Sequence, residues 1–447
     1  MILTPLIASY SPITRPTARL PRRATLRCCA AAASWPRLEE LLPSSVAAEP
    51  RVIDAALAPS RPTFSDGTVV LYRERNGWCP YSERVWLALE HKSIPFETVL
   101  IDNTGGGRPS WYSGETPQIR WADGSTQKES LDIVRALDAK YPHTPPLWPP
   151  AGHDAAAVAE AVAAFRQTFP RGARPSSRAA FLFQGGGGAL PRSTFEATLD
   201  GTDELLGRTG DDGPFFLGGA FSAADVAWAP FLERYAAQLP CLHSGLVPRD
   251  GARWPHLARW YDAMESDAVP AYACRVRGDA ASWRAVLAMA GFGNAGLPPE
   301  VIADAAAAER AFGSARLGNG AWWEAFAASR PHVAASPAEE AAARLTRNRA
   351  AVAADAVRRG VLGEGQVDGA LREVAEALVA HAAEAEAAEA EAETAAAAAA
   401  ATPSAEAVAL LRYLDARMCV PRDMGAPAAA AIRSLAEASV GGRESSA

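Results

Sequence analysis

The chain has 447 residues, 49% of them hydrophobic, and a formal net charge of -7. That is enough for two or three domains with a sizeable core, and the acidic balance argues against a nucleic-acid binder, which would show a basic footprint. No apolar run approaches the length of a membrane span, and six scattered cysteines do not make a disulfide framework, which points to a reducing compartment.

The N-terminal stretch has a character of its own. It carries Arg15, Arg19, Arg22, Arg23 and Arg27, several Ser and Thr, and no acidic residue before Glu39. Arginine-rich and acid-free is the composition of an organelle transit peptide. Residues 1–45 are read as such a leader, for the plastid in preference to the mitochondrion; the other reading is an arm that is never cleaved. Cys28 and Cys29 leave with it. A Pro- and Ala-rich linker, 46–67, ends at the turn dipeptide Asp66-Gly67.

"TVVLYRE" (68–74) reads as a strand by its β-branched and aromatic content. "PYSERVWLALEHK" (80–92) reads as a helix, with Pro80 suited to its first position and Val85 to Leu89 as a buried face. "FETVLID" (96–102) is a second strand, so a parallel pair in an α/β sheet is expected. Asp123-Gly124 marks a hairpin between two short strands. A helix follows from Ser130 to about Tyr141, stopped by Pro142, with an apolar stripe of Leu131, Val134, Ala136 and Leu137.

From 153 to about 280 the pattern is helical. Ser222 and Asp225 have capping-box spacing, and Phe221 can staple against Val226. The run Gly185 to Gly188 lacks the Lys-Ser/Thr of a phosphate loop. An Ala-rich tail follows. Ser336-Pro337-Ala338-Glu339 opens a helix expected to reach Arg359 and end at Gly360. Segment 382–401 carries five glutamates without basic partners and reads as a solvated helix or arm; 403–418 and 425–439 read as closing helices.

Cys79-Pro80-Tyr81-Ser82 is the stretch with chemistry. The first-turn amides and dipole of a helix favour negative charge, so a cysteine just before one is an activated thiol. Pro80 costs nothing there, because its missing N–H would have been unpaired. Ser82 stands where a Cys-x-x-Cys pair would have its second cysteine. Oxidation of Cys79 therefore leads to a mixed disulfide with a small external thiol, or to a sulfenic acid. A free cysteine is also commonly a small buried hydrophobe, so the motif alone leaves a structural reading open.

In their order these motifs resemble the cysteine-type glutathione transferases, of the omega, lambda and dehydroascorbate-reductase-like classes. Cys79-Pro80-Tyr81-Ser82 lies on a first helix after a first strand. Thr116-Pro117 falls where that family has a cis-proline opening its third strand. Glu129-Ser130 with "LDIVRALDAKYP" is similar to its acidic-serine motif, and "FFLGGAFSAADVAWAPFLERY" to its capped second-domain helix. The resemblance implies a thioredoxin-like α/β domain over 68–142, an all-α transferase C-terminal domain over 153–285, and beyond them an unassigned helical, partly low-complexity extension, 297–447.

It also implies glutathione as co-substrate and no metal. Cys79 would attack or bind the glutathione sulfur. Thr116, beside cis-Pro117, would pair through its backbone with the cysteinyl part. Glu129 and Ser130 would hold the γ-glutamyl group, and Arg108 the glycine carboxylate. Each residue has a plainer alternative: Pro117 an edge-strand proline, Ser130 a helix cap beside a solvated Glu129, Arg108 a surface arginine. Two departures stand out: a polar "STQK" for the fourth strand, and the Gly-rich "NTGGGRPSWYSGE" where a second helix is usual. Phe165, Phe181, Phe183, Trp228 and Phe231 could line a second-substrate site, although helical spacing favours core. His143, His153, His243 and His256 show no metal spacing.

The function implied is a glutathione-dependent thiol transferase or reductase, acting on mixed disulfides, dehydroascorbate or glutathione conjugates through one cysteine. Its partners would be small molecules, not nucleic acid or membrane, and a homodimer is compatible. The alternative is a non-catalytic glutathione-transferase-like binding or scaffold protein whose tail makes the contacts.

Overall fold

The computed structural model describes residues 32–42, 49–58, 60–103, 108–175, 189–209, 212–291, 320–390 and 403–444. A short helix α1 (Trp35–Leu41) and a strand β1 (Val52–Asp54) precede the predicted α/β unit. That unit comprises β2 (Val70–Glu74), α2 (Pro80–His91), β3 (Glu97–Ile101), β4 (Gln118–Arg120), β5 (Thr126–Gln127) and α3 (Ser130–Lys140). The sheet order is β1-β3-β2-β4-β5. β2 and β3 are parallel, joined by a crossover through α2, and β4 and β5 are antiparallel around Gly124 at φ +82°.

β1 lies inside the stretch read as linker and adds a parallel edge strand, Val52 opposite Thr98. Its three residues show no alternation that a sequence pattern could reveal; the Arg51–Glu97 ion pair at 2.8 Å accompanies the pairing. Leu71 and Ile119 face α2 and α3 on one side of the sheet. Val70, Tyr72, Val99 and Ile101 form a smaller cluster with Tyr112 on the other. The described part of 103–115 contains no helix, and β5 is only two residues long, as the polar "STQK" foreshadows.

The helical domain holds α4 (Ala155–Thr168), α5 (Arg192–Gly207), α6 (Ala223–Leu242), α7 (Pro255–Met264), a wide turn Tyr272–Val276 and α8 (Ala280–Gly291). α6 starts on the expected capping box of Ser222 and Asp225, and Asp225 also accepts from the Trp260 indole at 3.0 Å. One core runs from α2 through α8 and includes Phe165, Trp228 and Phe231, so these aromatics are core. Phe181 and Phe183, like the run Gly185 to Gly188, lie outside the described residues.

The tail consists of α9 (Gly320–Ala328), α10 (Pro337–Arg358), α11 (Glu364–Ala390), α12 (Ala405–Arg417) and α13 (Ala426–Glu444). α10 opens on Ser336, whose Oγ accepts from the Glu339 amide at 3.2 Å, and it ends before Gly360 at φ +70°. α10 to α13 share an alanine- and leucine-rich core of their own. α1 belongs to that core: the Trp35 indole donates to Asp368 at 2.7 Å, and Leu38 is fully buried. Trp322, Trp323 and Phe326 are covered by packing on Ala273 and Cys274 of the helical domain.

Candidate active site

The loop between β2 and α2 is organised by Glu74. Its carboxylate is buried and accepts from the Asn76 amide at 2.9 Å and the Trp78 amide at 2.6 Å. Burial raises its pKa, and those amides act the other way. Gly77 takes φ +81°, where an L side chain is disfavoured. The chain then enters α2 with Cys79 as its N-cap, at φ −74° and ψ 113°, and Pro80 as its first residue. The Cys79 carbonyl accepts from Glu83 at 3.1 Å, which starts the helix. Sγ donates to the Thr116 carbonyl at 3.6 Å, and Cys79 is 7% exposed. Ser82 is buried in the first turn of α2.

Thr116-Pro117 is a cis peptide bond. Thr116 Oγ1 accepts from Asn103 Nδ2 at 2.7 Å, and its backbone N–H has no hydrogen-bond partner among the described residues. Arg108 is exposed. Nη2 donates to Asn103 Oδ1 at 3.0 Å and to the Gly114 carbonyl at 2.6 Å. Arg108 therefore braces the irregular loop and reaches Thr116 through Asn103.

Glu129 is the N-cap residue of α3, at φ +65° and ψ 106°, a backbone region costly for a side chain. Its carboxylate is exposed and makes no cap hydrogen bond. Ser130 is the first helical residue and is 8% exposed, so it is not the cap of α3. Neither the Glu129 carboxylate nor the Ser130 hydroxyl has a partner among the described residues. The first amides of α3 are thus left for an anion.

Several residues at this site carried no signal in sequence. Arg84 is buried, donates twice to the Ala227 carbonyl, at 3.0 and 2.7 Å, and lies over the Tyr81, Phe165 and Phe231 rings. Burial pushes its pKa down to about 9, and it lies within electrostatic reach of Cys79, Arg166 and Arg174. Arg234 is fully buried, pairs with Glu83 at 2.8 Å and donates to the Trp78 carbonyl at 3.1 Å, which ties α6 to the residue before Cys79. Only Glu74 could have been suspected, as an acid two residues before an Asn-Gly turn.

The tail reaches the same loop from its far side. Arg422 donates to Asn76 Oδ1 at 2.9 Å, and Cys419 Sγ to the Asn76 carbonyl at 3.5 Å. Pro421 packs beside Gly77. Burial pushes the Cys419 thiol up to about 12, which keeps it protonated and inert near neutral pH. Among the described residues no cluster of His, Cys, Asp and Glu could hold a metal ion.

A thioredoxin-like α/β domain followed by an all-helical domain, with a cysteine opening the first helix of the α/β unit, defines the class. Residues 78–140 match the glutathione S-transferase N-terminal domain and 155–263 the glutathione S-transferase C-terminal domain. The chain thus carries glutathione S-transferase N- and C-terminal domains, and neither match extends into the tail. It is 28% identical to glutathione S-transferase L3 of Arabidopsis thaliana over 221 residues, 48% of this chain and 85% of the relative. It is 29% identical over 179 residues to the probable cytosolic glutathione S-transferase DHAR1 of Oryza sativa subsp. japonica, 39% of this chain and 75% of the relative. Among solved structures, dehydroascorbate reductase of Chlamydomonas reinhardtii aligns with 46% of this chain and 92% of its own, at 23% identity and a TM-score of 0.33.

Proposed function

We propose that this chain is a glutathione-dependent thiol transferase in which Cys79 carries the glutathionyl group. The observation that carries this reading is one juxtaposition. Cys79 Sγ sits at a helix start 3.6 Å from the carbonyl of Thr116, which lies just before β4 and whose N–H has no partner among the described residues. Glutathione would lie along Thr116 as a short strand addition, its cysteinyl amide and carbonyl meeting the Thr116 backbone. Its γ-glutamyl carboxylate would take Ser130 and the first amides of α3, and its ammonium the Glu129 carboxylate. Arg108 would serve the glycine end, or serve it through the loop it braces.

The chemistry is thiol–disulfide exchange. The Cys79 thiolate attacks the glutathione sulfur of a mixed disulfide, the substrate leaves as a thiolate, and Cys79 becomes a glutathione mixed disulfide. A second glutathione thiolate attacks the glutathione sulfur, releasing oxidised glutathione and restoring Cys79. Ser82 supplies no competing internal thiol. Names of the relatives include both transferases and dehydroascorbate reductases, so dehydroascorbate is the second substrate to try. A plastid location belongs to the same proposal, supported by the acid-free, Arg-containing N-terminus and by relatives described as chloroplastic.

The scaffold alternative draws on the tail, a helical unit with its own core. One experiment separates the two: retention on immobilised glutathione together with a turnover panel of a glutathione–mercaptoethanol mixed disulfide, dehydroascorbate and an aryl halide. Turnover of the first two, lost in Cys79→Ser while retention survives, is expected. Retention without any turnover supports the scaffold, and turnover of the aryl halide alone refutes the cysteine mechanism.

A further inference from the structure

A cavity of about 1630 Å³ lies between the β1–β3 edge of the sheet, the end of α2 and the tail helices. None of Cys79, Thr116, Glu129 and Ser130 lines it, so it is separate from the glutathione site proposed above. Ten arginines and seven carboxylates face it. Eight of those arginines have a carboxylate within ion-pair distance. Arg73 and Arg275 have none among the described residues.

These two are not spread over the wall. Arg73 comes from β2 and Arg275 from the wide turn before α8, yet both guanidiniums lie against one indole, at 4.3 and 4.7 Å from the Trp86 ring centroid. Arg73 is 3% exposed. Each guanidinium has five N–H donors, and each makes a hydrogen bond to one carbonyl: Arg73 to Glu74 at 3.1 Å, Arg275 to Pro421 at 2.6 Å. Burial lowers their pKa values to about 9 and about 10; Arg275 and Arg422 lower Arg73 further and Arg344 lowers Arg275, while Glu74 acts the other way on Arg73 and Glu90, Glu340 and Asp423 on Arg275. Removing two like charges from water without a directly paired anion is unfavourable, and a paired anion is the usual remedy.

We propose that this cavity binds a phosphomonoester, with Arg73 and Arg275 clamping its phosphate beside Trp86. A phosphomonoester carries a charge of about −1.5 to −2 near neutral pH and presents three acceptor oxygens. That matches two guanidiniums without a direct ion pair, whose forked donors suit bidentate contact with phosphate. A bare ion would fill a small part of the space, since pockets for whole small molecules run to about 300–1000 Å³. The remaining wall offers the half-buried Phe96 to an apolar or aromatic group. The site exists only when the tail is docked, because Pro421 holds Arg275 and the tail helices form the opposite wall.

The test is calorimetric titration of the full chain with inorganic phosphate, phenyl phosphate and benzoate, against potassium chloride at matched ionic strength. Phenyl phosphate is expected to bind more tightly than inorganic phosphate, and both more tightly than benzoate. Arg73→Gln and Arg275→Gln should each weaken phenyl phosphate roughly tenfold or more, as loss of a charge-assisted contact does. Should Arg73→Gln fail to fold, the part-buried Arg275 carries the comparison. Heat no greater than with chloride, or affinity undiminished in Arg275→Gln, overturns the site. Equal affinity for phosphate and phenyl phosphate, or for benzoate and phenyl phosphate, overturns the assignment of its ligand.

Discussion

Replacing Gly425 by alanine puts a methyl group where the Cys274 carbonyl already is. A Cβ built on Gly425 lies 1.8 Å from the Cys274 oxygen, 2.9 Å from its carbonyl carbon and 3.2 Å from Arg275 Cα. All three are backbone atoms, in a turn whose Tyr272, Cys274 and Val276 side chains are buried, so no flexible side chain can give way. Ordinary carbon contacts are about 3.5–4.0 Å, so the start of α13 has to retreat by roughly 1.5 Å or more. Overpacking of this kind costs about 1–3 kcal/mol, and a clash with fixed backbone belongs at the upper end. Alanine is also a poor residue at the N-cap of α13, where Gly425 stands. A loss of about 3 kcal/mol corresponds to roughly 6–12 °C for a unit of this size. Scanning calorimetry and limited proteolysis of the full chain provide the assay. The expected result is a lowered midpoint, early cleavage in 403–425, and reduced thiol transfer as Arg422 and Pro421 leave the Asn76–Gly77 loop. An unchanged midpoint with an equally protected tail would refute the close-packed junction.

Glu129→Gly relieves a backbone strain of about 1–3 kcal/mol while removing the proposed ammonium partner. The midpoint should hold or rise as retention on immobilised glutathione falls; a lower midpoint with full retention refutes the assignment. His91, on α2, is pushed down to about 4 by burial, with Lys92 and Arg330 adding repulsion. The unfolded chain takes that proton near 6.5, so the stability of neutral His91 is present above about 6.5 and is lost as the pH falls toward 4. His91→Gln should flatten the midpoint-versus-pH curve over that window. Buried Asp225, raised to about 6, contributes the opposite slope between about 4 and 6 and is common to both proteins; parallel curves for the two would dismiss His91. Sequencing the mature N-terminus from source cells should find a start between residue 27 and Ala33, because Trp35 packs against the tail core and Leu42 is part of it. A start beyond Leu42 would contradict that packing.

What the sequence determined by itself was local. Pro80 at a first helical position, Ser222 and Ser336 as caps, Gly124 in a hairpin and Gly360 after a helix each act within a few residues, and the helices and turns appear where those signals stand. The candidate site was legible for the same reason: Cys79, Thr116-Pro117 and Glu129-Ser130 each sit at the end of an element, where loose backbone groups are placed by short-range rules. Tertiary structure alone decided the rest. β1 is too short to show a period and exists by pairing with β3. Trp322, Trp323 and Phe326 needed a cover, but only the fold names Ala273 and Cys274 as that cover. Asn76 and Arg422 lie 346 positions apart, and Arg84 and the Ala227 carbonyl 143. Such contacts leave no local pattern, because their residue types are set by a neighbour that is near in space only after the chain has folded.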